Sequence, residues 1–170
     1  MVEVILRAVR VDVGSSTPLL LLEEVGGDRV LPIFIGAPEA ASIAYALNRV
    51  ETPRPMSHDL LANVISALDG RIFSVEITEL VGNTFFATLR ILKGAEEITI
   101  SARPSDAVAL ALRSGAPILV SDELIEEQGK IIDLSESYED VEEDDEVDEA
   151  ELVAELREFL DSVNPEDFEL

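Results

Sequence analysis

Negative charge is spread unevenly along this chain, and its placement limits how much of the sequence can build a core. Of 36 acidic residues, 17 fall in residues 135–170 beside a single basic residue, Arg157; the net charge is −16 there and −8 over residues 1–134. The run "DLSESYEDVEEDDEVDE" is almost without apolar side chains. It cannot bury enough surface to offset the entropy of ordering, so it reads as a solvated linker. Folding is left to the segment before it, which is long enough for one well-buried core and hardly for two. Three parts are expected: an α+β domain over residues 1–132, an acidic linker over 133–147, and a C-terminal helix and tail over 148–170. In that last part Leu152, Val153, Leu156, Phe159, Leu160 and Val163 share one helical face. A helix this short is not stable alone in water, so it must dock on its own domain, a sister subunit or another protein.

The first part alternates strand and helix signals. Residues 2–13 are rich in Val, Ile and Leu and read as a strand. "PLLLLEE" and "RVLPIFIG" flank "VGGD", a hairpin signature around Gly26 and Gly27. Pro32 has no N–H, which places its strand at a sheet edge or at a bulge. "GAPEAASIAYALNRV" is a helix whose apolar side is mostly alanine, with Pro38 and Glu39 in its first turn. "RPMSHDLLANVISALDG", residues 54–70, is a second helix with Leu60, Leu61, Val64, Ile65 and Leu68 on one stripe and Gly70 placed to end it. Residues 71–101 read as three strands joined at "VGN" and "GA". "RPSDAVALALRSG" is a helix closed by Gly115, "PILVS" a short buried strand and "SDELIEEQG" a short capped helix. The expected fold class is α+β, a mixed or antiparallel sheet with hairpins, packed against several short helices and joined by the C-terminal amphipathic helix.

Composition removes several kinds of chemistry. The chain has no cysteine, which excludes disulfides, thiolate metal sites and a thiol nucleophile and suits a reducing cytoplasm. "MVEVILRAVRVDV" is broken by Glu3, Arg7 and Arg10, so it resembles neither a signal peptide nor a lipidation motif. No stretch approaches the roughly 20 apolar residues of a membrane span. A net charge of −24 disfavours nucleic acid as a partner at long range, because phosphate binding depends on Lys and Arg displacing counterions.

The chain holds one histidine, His58, next to Asp59 at a helix start. Ser57 suits the cap and Asp59 the positive end of the helix dipole, which explains the local sequence without any chemistry. Neighbouring helix positions point about 100° apart, so Asp59 is a poor orienter for His58. "RPSDAVALALRSG" repeats the order Arg-Pro, small polar residue, Asp, apolar helix, Gly, a pattern that helix-start chemistry used twice would produce. An old duplication would produce the same echo, but the capping logic favours convergence. There Ser105 or Asp106 suits the cap, while Arg103, like Arg54, stands beside a helix N-terminus where an anion can bind. If the two helices converge, Arg54, His58, Asp59, Arg103 and Asp106 line one polar cleft. Glu39, Asp59, Asp106 and Asp122 are carboxylates at helix starts, a donor set suited with His58 to Mg²⁺ or Mn²⁺. No H-E-x-x-H, D-x-D, glycine-rich phosphate loop or G-x-S-x-G elbow is present, and nothing points to an organic cofactor. Phe85 and Phe86 read as strand packing rather than a base-stacking platform.

"LPIFIGAPEAASIAYAL", "RPMSHDLLANVISAL", "NTFFATLRI" and "SARPSDAVALALRSGAPILVSDELI" occur in this order and resemble the bifunctional nuclease family over about residues 2–128. The closing "REFLDSVNPEDF" resembles the tail of bacterial members, actinobacterial ones included. The resemblance implies a compact α+β domain, a homo-oligomer, and nuclease activity on DNA and RNA as described for plant members. It carries the family's "HDL" segment onto His58 and Asp59, and its "RPSDA" segment onto Arg103, Pro104, Ser105 and Asp106.

Two functions of different class follow. In a nuclease, His58 would be general base or acid, with Asp59 and Asp106 completing the catalytic set. Asp59, Asp106 and Glu39 would hold the metal, and Arg54, Arg103 and Ser105 would bind phosphate. In a non-enzymatic regulatory or protein-interaction module, the cleft would bind a small anion at most, and the C-terminal helix would be the contact surface.

Overall fold

The computed structural model describes residues 1–12 and 14–131. The expected acidic linker and the C-terminal helix, with its possible protein partner, lie outside the described residues.

Among the described residues seven strands form one sheet in the order β3-β2-β1-β7-β4-β5-β6. They are β1 (Val2–Asp12), β2 (Thr17–Glu24), β3 (Val30–Phe34), β4 (Gly70–Val81), β5 (Thr84–Lys93), β6 (Glu96–Ala102) and β7 (Ile118–Val120). Neighbours pair antiparallel except β4 and β7, which are parallel. The short β7 therefore joins two antiparallel units, β1–β3 and β4–β6, into one sheet. Pro32 stands in β3, which is an edge strand, where a missing N–H costs no ladder bond on the open side. Gly82 and Gly94 take positive φ in the turns after β4 and β5, which a residue with a Cβ resists.

Among the described residues four helices join the sheet in an α+β fold: α1 (Ala37–Leu47), α2 (Ser57–Ala67), α3 (Pro104–Ser114) and α4 (Asp122–Gln128). Helix α3 is the central one and packs against α1, α2, β4 and β5. Ala107 to Ala111 are all buried, and their small side chains let α1, itself rich in alanine, come close. In β2, Leu20 and Leu22 enter the main core, while Leu19 and Leu21 join a second cluster with Val30. That is the strict alternation of a strand covered on both faces.

Helix α2 departs from the sequence reading in three ways. Its cap is Met56, not Ser57, and Asp59 accepts the Met56 backbone N–H at 2.9 Å. Its stripe is not a core face: Ala62 and Ile65 pack inward, but Leu60, Leu61, Val64 and Leu68 are 45–61% exposed. Gly70 does not end the helix. Asp69 takes the left-handed conformation at φ 60°, and Gly70 opens β4. A Cβ on Gly70 would lie 3.0 Å from the Ile65 carbonyl oxygen and 3.2 Å from Ile91 Cγ2. Gly70→Ala is therefore expected to lower stability by about 1–2 kcal/mol, as overpacking does, read as a lower midpoint in urea unfolding.

Candidate active site

Helices α1, α2 and α3 each carry an acidic residue at their third position, Glu39, Asp59 and Asp106, where the helix dipole favours negative charge. Each accepts hydrogen bonds from an arginine, and the arginines join them into one chain of side chains. Arg113, at the end of α3, donates from Nε to Asp59 at 2.5 Å and from Nη2 to the Ser42 carbonyl at 3.2 Å. The Ser42 hydroxyl lies 2.8 Å from His58 Nδ1, and His58 Nε2 lies 3.0 Å from Asp106 Oδ1. Arg103 grips Asp106 with two N–H groups at 2.7 and 2.9 Å and reaches Glu39 at 2.7 Å.

The partners set the tautomer of the neutral histidine. An ionised carboxylate only accepts, so His58 Nε2 carries the proton that points to Asp106. In the neutral ring Nδ1 is then bare and accepts the Ser42 hydroxyl proton. Burial raises the Asp106 pKa, but hydrogen bonds from Arg103 and His58 outweigh it and hold the carboxyl below its ordinary value of 3.8. The hydrogen bond from Arg113 likewise lowers Asp59, against a smaller opposing effect of burial. Arg103 is raised by Asp106 and then by Glu39, so it stays charged.

These shifts predict an acid limb. Both carboxyls have folded pKa values below the unfolded ones, so their stabilisation is full above about pH 4 and is lost as pH falls through the folded values. Thermal unfolding between pH 2 and 6 should show a declining midpoint below pH 4. The slope should be shallower in Asp106→Asn, and an unchanged slope would remove Asp106 from the account.

A cavity of about 630 Å³ opens where the three helices meet β5 and β6. Glu39, Ser42, His58, Arg103 and Asp106 supply most of its polar groups, and Leu61, Ile65, Leu89, Ile100 and Leu110 much of its wall. The sequence expectation of one polar cleft is therefore met only by part of the set. His58, Arg103 and Asp106 come together. Asp59 turns to Arg113 and lines a separate, smaller cavity, because positions 58 and 59 of a helix point apart. Arg54 is exposed in the loop before α2, with its carbonyl accepting from Thr52, and is not in the cavity wall. Ser105 is buried and faces another small cavity beside Phe34 and Thr84.

The profile of the bifunctional nuclease domain matches residues 20–133. The chain belongs to this family. An uncharacterized protein of Mycobacterium tuberculosis is 44% identical over 166 residues, 98% of this chain and 97% of that one. Bifunctional nuclease 1 of Oryza sativa subsp. japonica is 32% identical over 126 residues, 71% of this chain but 38% of the rice protein. Bifunctional nuclease 1 of Arabidopsis thaliana is 26% identical over 121 residues. The matched region contains all seven residues of the side-chain network. No helix among the described residues is long and apolar enough to cross a membrane.

Asp59, Asp106 and Glu39 of this chain are not gathered around one position where Mg²⁺ or Mn²⁺ would sit. Among the described residues no three His, Cys, Asp or Glu side chains are grouped to hold a cation. Asp59 is turned away from the other two, and each carboxylate is already neutralised by a guanidinium group. Sequence reasoning missed Ser42 and Arg113. Ser42 is 16 residues from His58 and Arg113 is 71 from Ser42. One signal was available: Ser42 follows Glu39 by three positions, which places both on one helix face amid alanines.

Proposed function

We propose that this chain is a hydrolase that cleaves phosphodiester bonds of short or single-stranded nucleic acid in the cavity between α1, α2 and α3, working in the cytoplasm. The supporting observation is the His58–Asp106 pair at 3.0 Å, with Asp106 gripped by Arg103, in the wall of that cavity. Family membership supports the reaction class. Asp106 fixes the ring and balances the charge that proton transfer puts on it. Arg103 is 64% exposed, so its outer edge can meet a substrate phosphate. The cavity has the size of a small-ligand site, with an aliphatic wall beside its polar groups. The net charge of −24 works against long duplexes, which gain most of their affinity from counterion release.

The test is cleavage of labelled single-stranded DNA, RNA and duplex DNA, with and without divalent cations, by wild type and Asp106→Asn purified identically. Single strands should be cut faster than duplex, and the variant should lose about 10²-fold or more. Equal rates in both proteins would point to a contaminating nuclease and against the reading.

The exposed apolar face of α2 favours a second reading, an interaction module that assembles as a homo-oligomer. Leu60, Val64 and Leu68 are 55%, 45% and 61% exposed, spaced so that one partner surface can cover all three. Leu60→Asp plus Val64→Asp should then lower the molar mass seen by sedimentation, with little dependence on salt. A mass unchanged by the substitutions would take this face out of assembly.

A further inference from the structure

The hydrogen bonds of His58 say more than that it belongs to a site. Nε2 is taken by Asp106 and Nδ1 by the Ser42 hydroxyl, so neither ring nitrogen has a lone pair open to a water in the cavity. The one proton that neutral His58 is placed to remove is that of Ser42. The Ser42 hydroxyl also has a cation behind it: Arg113 Nη2 lies 3.4 Å from Oγ while the same nitrogen donates to the Ser42 carbonyl at 3.2 Å. That distance is long for a strong hydrogen bond, but the charge sits in a nearly buried side chain, 10% exposed, where screening is small. A hydroxyl facing a base, a base oriented by a carboxylate, and a cation favouring the alkoxide together make an activated nucleophile. Such sets are recognised by geometry and role, not by sequence order; here the serine faces Nδ1 and the carboxylate Nε2, the reverse of the serine-protease arrangement.

We infer that Ser42 is the nucleophile of this cavity, primed by His58 and Asp106, and that it attacks the phosphorus of a phosphate ester to form a covalent phosphoryl-Ser42 intermediate. The choice of phosphorus as electrophile rests on the hydrolase reading above; the activated hydroxyl rests on geometry alone. In the first step the Ser42 Oγ–P bond forms and the bond from phosphorus to the leaving oxygen breaks. The Ser42 proton passes to His58 Nδ1 and from there to the leaving alkoxide. In the second step a water, now able to reach Nδ1, gives its proton to His58 and attacks phosphorus. The Oγ–P bond breaks, and Ser42 takes the proton back. No oxidant or metal is required by this balance. Asp106 keeps the ring in the tautomer with Nδ1 bare, and Arg113 is a positioning residue that also lowers the cost of charge on Oγ.

The test uses the full chain and an alkyl fluorophosphonate, whose phosphorus is attacked with loss of fluoride. Intact mass and peptide mapping should show one adduct per chain, on Ser42. It should be absent in Ser42→Ala and form about 100-fold more slowly in His58→Ala. Ser42→Cys gives a second measurement that keeps the shape of the site. Because the chain has no cysteine of its own, iodoacetamide reports on that position alone. Its alkylation at neutral pH should be about tenfold faster than in the Ser42→Cys, His58→Ala double variant, since the base raises the thiolate fraction. An adduct elsewhere, no adduct at all, or equal alkylation in the single and double variants would overturn the assignment. An adduct on Ser42 without cleavage of any nucleic acid would retain the nucleophile and reject the nuclease reading. Cleavage that depends on His58 but leaves Ser42→Ala fully active would do the reverse.

Discussion

On the proposed hydrolase reading, cleavage by His58→Ala is expected to fall by about 10²–10⁴-fold while the domain stays folded. The size of the loss follows from the role: without the ring, Ser42 loses the acceptor 2.8 Å from its hydroxyl, and the leaving oxygen loses the group placed to protonate it. Folding should survive because the partners keep others. Asp106 remains gripped by Arg103, and Ser42 remains beside Arg113. His58→Gln sharpens the experiment. Its amide can donate toward Asp106 and accept from Ser42 but cannot carry the proton through the reaction, so it should restore thermal stability and not activity. Initial rates under single-turnover conditions, paired with thermal melts, separate the two. An active His58→Gln would show that the residue serves structure only.

The largest loss of stability is expected at Arg113. Its side chain is 10% exposed and ties Asp59 of α2, the Ser42 carbonyl of α1 and the Ala109 carbonyl of α3 to one guanidinium group. Arg113→Ala removes three charge-assisted hydrogen bonds and leaves Asp59 without its cation. Hydrogen bonds to charged groups contribute about 1.5–3 kcal/mol each, but Asp59, about one third exposed, regains solvation. A net loss of about 2–4 kcal/mol is expected, seen as a lower urea midpoint at unchanged slope. Arg113→Lys should recover only part, because an ammonium cannot reproduce the planar fork. A double-variant cycle with Asp59→Asn isolates that pair from the two carbonyl contacts. A loss below about 0.5 kcal/mol, the range of ordinary surface substitutions, would show that the helices hold together without it.

Much of the strand order along the chain was legible because it depends on neighbours in sequence. "PLLLLEEVGGDRVLPIF" carries its own turn, and Gly82 and Gly94 mark hairpins that close within two residues. Pro32 announces an edge by what its nitrogen lacks. Helix α2 shows the limit of this reasoning: a stripe of leucines and valines at helical spacing states that one face is apolar, not what covers it. Gly70 is a similar case. It looks like a helix stop, yet the backbone demand is met by Asp69, and the glycine answers to the close approach of Ile65 and Ile91.

The candidate site was legible only in its members that begin helices. His58, Arg103 and Asp106 stand out because Pro, Ser and Asp mark helix starts, and family resemblance points to the same segments. Which carboxylate serves His58 could not be read, since Asp59 is adjacent in sequence and Asp106 is 48 residues away. Nor could Ser42 be recognised as more than a small residue in an alanine-rich helix. By itself the sequence determined the α+β class, the hairpins, the helix starts and the concentration of negative charge in residues 135–170, all of which follow from local periodicity, backbone chemistry or counting. Only the tertiary structure decided that Asp59 turns to Arg113, that Asp106 takes His58, and that Ser42 receives the ring's free nitrogen. The physical reason is that side-chain direction is set locally by the helix, whereas the partner met in that direction depends on how α1, α2 and α3 pack, which no short stretch of the chain encodes.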